Sequence, residues 1–232
     1  GDVIIAGAKH LQSFSIPIMS ARRAVLRPEY AFAKRTLDAL QAALGLVIAS
    51  PVMLITAIAI KAYDGGPVFF VQDRCTINGK VFKIHKFRSM IENAEKDGEV
   101  IPATDDDARI TPVGKIIRKT RLDELPQFFD ILIGNMSVVG PRPERVEHVE
   151  KYVEEVPEFT YRMKVKGGLT GYAQIYGKYN TSAYDKLKLD LMYIQNYSIL
   201  LDLRLILMTV KIMFIKDSTE GFEEIKPSEK KD

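Results

Sequence analysis

The chain has 232 residues, 47% of them hydrophobic and 27% charged, with 33 lysines and arginines against 30 aspartates and glutamates. That composition excludes a wholly disordered chain. A mean hydropathy of -0.04 excludes a polytopic membrane protein. A net charge of +3 is too mild to argue for nucleic acid, and one cysteine, Cys75, rules out an intramolecular disulfide.

Residues 1–28 hold a short apolar stretch, Val3 to Ala6, and a basic linker; they read as the tail of a preceding region. The opening Gly1, where a methionine would start a natural chain, agrees with that reading. Next, Lys34-Arg35-Thr36-Leu37-Asp38 reads as an interfacial helix start. Asp38 can pair with Lys34 or Arg35 one turn back, and both cations can meet lipid phosphates. From Ala39 to Ile60 there is no charge, over about the length that crosses a bilayer. Ser50-Pro51 interrupts this run near its middle, and proline kinks a helix by removing a hydrogen bond. Each half spans about 16 Å, too short to cross alone. Basic residues flank both ends: Arg22, Arg23 and Arg27 before, Lys61, Lys80 and Lys83 after. Positive charge prefers the cytoplasmic side. The expectation over residues 29–64 is therefore a helix-break-helix that dips into one leaflet and returns.

After the turn Asp64-Gly65-Gly66-Pro67 the chain is soluble in character, giving a domain over residues 65–226. Val68–Val71 and Val81–Ile84 read as strands about the turn Asn78-Gly79. Helices are expected around Met90–Lys96, Pro112–Lys119, Leu122–Leu132, Pro143–Glu155 and Ala183–Ile194. Ile199–Ile215 is apolar almost all round and reads as a helix either buried or at an interface. Residues 227–232 read as a disordered tail. The expected fold class is α/β, mostly helical with a small strand element, anchored by the re-entrant membrane helix and amphipathic interfacial helices.

The chemistry concentrates in Thr120-Arg121-Leu122-Asp123-Glu124-Leu125-Pro126-Gln127. Proline is tolerated only in a helix's first turn, so Pro126 puts Asp123 and Glu124 near a helix start. There they are either capping acids or a phosphate-handling pair. A carboxylate attacking phosphorus needs cations to offset the repulsion between anions. The sequence offers Arg88, Arg118, Lys119, Arg121, Arg142 and Arg145, with Arg142 wedged between two prolines. Magnesium would suit an acid-rich phosphate site, since it needs few protein carboxylates. Asp105-Asp106-Asp107 reads as a loop with an internal ion pair to Arg109. Gly167-Gly168-Leu169-Thr170-Gly171 reads as a tight turn, and His10, His85 and His148 as structural.

Taken in order, several segments resemble the bacterial sugar transferase family, the monotopic phosphoglycosyl transferases, over roughly Phe32 to Phe214. They are Lys34-Arg35-x-x-Asp38, Ser50-Pro51, Gly66-Pro67-Val68-Phe69-Phe70-x-Gln72-x-Arg74 and Lys86-Phe87-Arg88-Ser89-Met90. Arg121-x-Asp123-Glu124-Leu125-Pro126-Gln127, Gly134-x-Met136-Ser137-Val138-Val139-Gly140-Pro141-Arg142-Pro143 and Leu169-Thr170-Gly171-Tyr172-Ala173-Gln174 complete the set. The resemblance implies a membrane enzyme at the cytoplasmic face of a bacterial inner membrane. It would move a sugar 1-phosphate from a UDP-sugar to undecaprenyl phosphate, releasing UMP, in exopolysaccharide, capsule or O-antigen synthesis. On the family pattern Asp123 is the nucleophile, Glu124 a magnesium ligand or acid/base partner, and Arg88 and Arg142 hold phosphates. A homodimer is compatible with it. Phe129-Asp130 stands where Trp-Asn is frequent, Asn135 where Asp is frequent, and Gly167-Gly168 where Pro-Gly is frequent. Two rivals differ in class: a non-catalytic scaffold binding anionic lipid, and a soluble nucleotide-binding module with a buried apolar helix.

Overall fold

The computed structural model describes residues 28–92, 94, 107–177 and 182–213. The expected N-terminal linker, the acidic run at 105–106 and the C-terminal tail lie outside them. Of the helix expected around Met90–Lys96, residues 90–92 and 94 are described and are not helical. Met90 itself is extended and bridges Ile110.

Helix α1 runs from Pro28 to Asp64, about 55 Å. Pro28 suits its first position and Glu29 its positive end. It is one helix through Ser50-Pro51, where a helix-break-helix was expected. A local reason is visible. Pro51 cannot donate to the carbonyl of Val47, four residues back, and Ser50 Oγ donates to that oxygen instead at 2.8 Å.

The faces of α1 divide sharply. Asp38 and Ala42, and again Thr56 and Ile60, lie four residues apart on one face and are buried against the rest of the fold. Leu40, Val47 and Ile55 are 63%, 71% and 68% exposed. Only 11% of the most apolar 18-residue window is buried, so α1 is long and apolar enough to cross a membrane and is not a core helix.

Strands β1 (Phe69–Cys75) and β2 (Val81–Phe87) form the expected hairpin, each longer than the sequence suggested. Asp73 faces Lys83 across it, and Asn78 (φ 56°) and Gly79 (φ 71°) make the left-handed turn. Phe82 and Ile84, alternating inward on β2, enter the main core with Ile131, Met136, Tyr193 and Leu205. A second cluster joins Ile60 of α1, Phe87 of β2 and Ile117.

The remaining elements are α2 (Pro112–Lys119), α3 (Gln127–Leu132), β3 (Ser137–Val139), α4 (Val146–Glu155), β4 (Gly168–Thr170), α5 (Tyr172–Tyr176), α6 (Ala183–Asn196) and α7 (Ile199–Met213). Strands β3 and β4 pair in parallel, Ser137 with Gly168 and Val139 with Thr170. The glycine-rich stretch is thus partly a strand, and its glycines have a steric purpose. A Cβ on Gly168 would strike the backbone of Gly140, and one on Gly171 the carbonyl oxygen of Gly140. Helix α7 buries Asp202 and Leu205 but exposes Leu200, Leu203, Leu207 and Val210, so it is core on one side and apolar surface on the other.

Candidate active site

Thr111 caps α2, its Oγ1 accepting from Gly114 N at 2.9 Å, with Pro112 at the first position. Helix α2 ends at Lys119, and Arg121 then adopts φ 56°, turning the chain back. Leu122–Glu124 follow as a 3-10 turn, and Leu125 and Pro126 stay helical before α3. The single helix expected over Leu122–Leu132 is therefore a 3-10 turn followed by a six-residue helix. Its dipole is short, and the charge that governs the site comes from side chains.

Three of those side chains meet at one oxygen. Glu124 Oε1 accepts from Lys86 Nζ at 2.9 Å and from Arg142 Nη2 at 2.5 Å. Burial alone would raise the pKa of Glu124, but Arg142 and Lys86 outweigh it and hold the group far below the usual carboxylate range. Burial lowers Lys86, against the pull of Glu124. Asp123 beside them makes no hydrogen bond or ion pair among the described residues. Burial raises its pKa, Lys86 opposes that, and Glu124 adds to it. The adjacent acids thus differ: one is locked as an anion between cations, the other is unpartnered and destabilised as an anion.

Arg142 is aimed by a loop whose carbonyls are all taken. Gly168 N donates to Pro141 O (2.9 Å), Arg162 Nη2 to Arg142 O (2.9 Å), Arg74 Nη1 to Pro143 O (3.2 Å) and Cys75 N to Glu144 O (2.9 Å). Arg162 is itself held by the fully buried Asp190 of α6 at 2.7 Å. Burial, then the charge of Arg142, pulls Arg74 down to about 10, with Arg145 adding to the effect. An anion would relieve that crowding of cations.

Not every expected site residue converges here. Arg88 is buried away from the pair, forked onto Asp64 at the end of α1 and donating to Pro67 O at 2.6 Å. There it fastens α1 to the hairpin, and the structure does not bring it to the acid pair. Lys34 pairs with Asp202 of α7 at 2.7 Å, and Arg35 caps α3 through Ile131 O and Leu132 O at 2.7 and 2.6 Å. Both expected headgroup cations are thus committed inside the protein. Asp38 chiefly holds β3, accepting from Ser137 Oγ (2.7 Å) and Val138 N (3.0 Å). Arg121 is exposed one residue before the 3-10 turn, and Arg145 adjoins Arg74 across a bridge. Gln127 is buried, its Nε2 without a partner among the described residues.

Lys86, Arg74 and Arg162 were not foreseen as site residues. Lys86 had a legible signal: it continues the inward parity of Phe82 and Ile84, and a lysine on a buried face requires an anion. Arg162 had none, since only the tertiary fold brings the 3-10 segment Pro157–Lys164 behind Arg142. The unusual Asp130 also acquires a reason. It is fully buried, and its carboxylate takes His85 N at 2.8 Å and faces His85 Nδ1 at 2.7 Å. An acid suits this position because the histidine answers it.

No group of three or more potential metal-ligating side chains occurs among the described residues. Magnesium does not need one where substrate phosphates supply further oxygens. Among the described residues Asp123 is unpaired and Glu124 Oε2 makes no hydrogen bond, so these oxygens would be available to hold that ion.

The bacterial sugar transferase family matches residues 29–216. The chain belongs to that family. It is 47% identical over 190 residues to the UDP-glucose:undecaprenyl-phosphate glucose-1-phosphate transferase of Klebsiella pneumoniae, covering 80% of this chain and 41% of that one. It is 44% identical over 187 residues to the UDP-N-acetylgalactosamine-undecaprenyl-phosphate N-acetylgalactosaminephosphotransferase of Aeromonas hydrophila, with 79% and 44% covered. The exopolysaccharide production protein ExoY of Sinorhizobium fredii is 37% identical over 199 residues, with 80% and 87% covered. This member of the family spans less than half the length of the first two relatives.

Proposed function

We propose that this chain is a phosphoglycosyl transferase that moves a sugar 1-phosphate from a UDP-sugar to undecaprenyl phosphate through a covalent intermediate on Asp123. The observation that carries the proposal is the inequality of the two acids. Asp123 has an unshared, poorly solvated carboxylate, and Glu124 is neutralised by Lys86 and Arg142 within bonding distance. In the first step an Asp123 oxygen attacks the phosphorus that bears the sugar. The bond from that phosphorus to the bridging oxygen breaks, and UMP leaves with the electron pair. In the second step an oxygen of the acceptor phosphate attacks the same phosphorus, and the bond to Asp123 breaks, restoring the carboxylate. Lys86 and Arg142 offset the charge gathering at phosphorus, Arg142 through its planar fork. Asp123 and the free oxygen of Glu124 would hold magnesium, which when bound neutralises the donor's phosphates.

The membrane arrangement that fits this chemistry is monotopic, at the cytoplasmic face of a bacterial inner membrane. The folded domain grips α1 from Arg35, bonded to α3, through Gly45, against Phe128, to Asp64, paired with Arg88. That grip covers about 43 Å of helix, more than the roughly 30 Å thickness of the hydrocarbon core. A helix crossing upright could be held by such a domain at one end only. A helix that enters one leaflet and stays on one side supports both contacts and keeps Asp123 beside the lipid acceptor.

The deciding experiment incubates the purified protein in nanodiscs with UDP-sugars, magnesium and undecaprenyl phosphate. UMP release is expected, with a phosphosugar on Asp123 seen by mass spectrometry before acceptor is added. No UMP from a broad donor panel would remove the reading and favour the lipid-binding scaffold.

A further inference from the structure

The buried residues of α6 are Leu187, Tyr193, Ile194 and, among them, the charged Asp190. A carboxylate on such a face needs a cation, and Asp190 takes Arg162, itself 4% exposed. Nε and Nη2 of Arg162 both go to Asp190 Oδ2, at 2.8 and 2.7 Å. Asp190 Oδ1 stays buried without a hydrogen-bond partner among the described residues. A guanidinium squared up to a carboxylate would serve both oxygens. This one is turned aside. Its Nη2 also donates to the backbone carbonyl of Arg142 at 2.9 Å, and its Nη1 lies 3.5 Å from Glu144 Oε1. The Phe159 ring, fully buried, lies 4.8 Å from the guanidinium carbon and helps to hold that orientation. One turn earlier on α6, Lys186 meets the same Glu144 oxygen at 3.2 Å. Helix α6 therefore grips the Arg142–Glu144 loop twice, once through Arg162 and once directly.

Stability alone does not account for this arrangement. Apolar residues of similar volume often serve a core as well as a buried ion pair does, and an orphaned carboxylate oxygen is a further cost. The skewed grip instead puts a charged donor on the carbonyl of Arg142, while the Arg142 side chain reaches Glu124. We infer that Asp190 and Arg162 are positioning residues for the transfer. They fix the backbone of Arg142 so that its fork meets the donor's phosphate oxygens, and they act on the reaction only through that fork. Neither touches substrate. A misplacement of about 1 Å at a group that stabilises the transition state is enough to slow it.

The inference rests on the phosphoglycosyl transferase reading, and one kinetic cycle separates the two. Asp190→Asn and Arg162→Lys are made singly and each together with Arg142→Lys. In nanodiscs with magnesium, undecaprenyl phosphate and the UDP-sugar that the unsubstituted protein turns over fastest, kcat and the donor KM are read from UMP release. Circular dichroism melts confirm that each variant is folded. Either substitution alone should lower kcat about 10–100-fold and leave the donor KM within about twofold. In the Arg142→Lys background there is no fork to aim, and the same substitutions should lower kcat by less than about twofold further. Equal losses in both backgrounds would place the pair's effect elsewhere in the fold and overturn the inference. An unchanged kcat overturns it too, as does a raised donor KM at constant kcat. If Asp190→Asn alone unfolds, Arg162→Lys, which keeps the charge, decides the matter through its own cycle. Unfolding of both assigns the pair to stability and overturns the positioning role. An unsubstituted protein that releases no UMP from any donor overturns the transferase reading, and this inference with it.

Discussion

Asp123 and Glu124 are adjacent, yet the fold sets them to opposite tasks, and protonation makes the difference measurable. The pKa of Glu124 is depressed in the folded state, so its ion pairs add stability at every pH above the ordinary glutamate range. That contribution disappears as pH falls through and below the range. Glu124→Gln should therefore flatten the acid limb of a stability-against-pH profile followed by circular dichroism. Asp123 is the reverse. Its pKa is raised by burial, so its ionised form costs stability at neutral pH, a cost that falls away on acidification. Asp123→Asn should abolish UMP release and raise Tm by about 2–4 °C, as relief of an active-site strain of about 1 kcal/mol would. Arg142→Lys keeps the charge but loses the fork; kcat is expected to fall about 10²–10³-fold, the scale of losing one transition-state donor.

Helix α1 shows how an element can satisfy two solvents. Its inward stripe meets the domain through Asp38, Ala42 and Ile60, and its other faces are apolar and uncovered. Gly45 lies where a Cβ would sit 3.0 Å from the Phe128 ring, so the helix approaches α3 as closely as a backbone can. Gly45→Leu would force the two apart, at about 1–3 kcal/mol, read as a lower Tm in nanodiscs. Ser50 is a quieter case. Its hydroxyl serves the Val47 carbonyl that Pro51 leaves open, and in hydrocarbon no water could replace it. Ser50→Ala should cost about 0.6–2 kcal/mol in nanodiscs, the range for hydrogen bonds in membranes. The same change should matter less in detergent micelles with water at the proline.

At the scale of the whole molecule, one domain holding both halves of α1 makes a topological statement that can be checked in cells. Phe32 and Tyr63, near the two ends, are 74% and 51% exposed. Cysteines placed singly at either position should both escape an impermeant thiol reagent applied to intact cells, and both react after lysis. Labelling of one end from outside would make α1 a full span. The core is continuous from Ala42 of α1 to Leu205 of α7, so α1 is part of the folding unit. Truncating it should unfold the domain as well as release it.

The amino-acid sequence alone determined the uncharged run with its proline, the hairpin about Asn78-Gly79, the helix that begins at Pro112, and the acid pair in a proline-marked turn. Each is local: charge, periodicity and backbone chemistry act within a few residues, and a reader of the chain can weigh them. What only tertiary structure decided is which charges face each other. Arg88, Lys34 and Arg35 read as phosphate and headgroup binders in one dimension; which partners they have in the folded chain, Asp64, Asp202 and the end of α3, is not written there. Lys86 and Arg162 acquire their roles only when the hairpin and the Pro157–Lys164 segment close around the Arg142 loop. A cation's pattern shows that it needs an anion; the long-range packing of apolar faces decides which anion it meets.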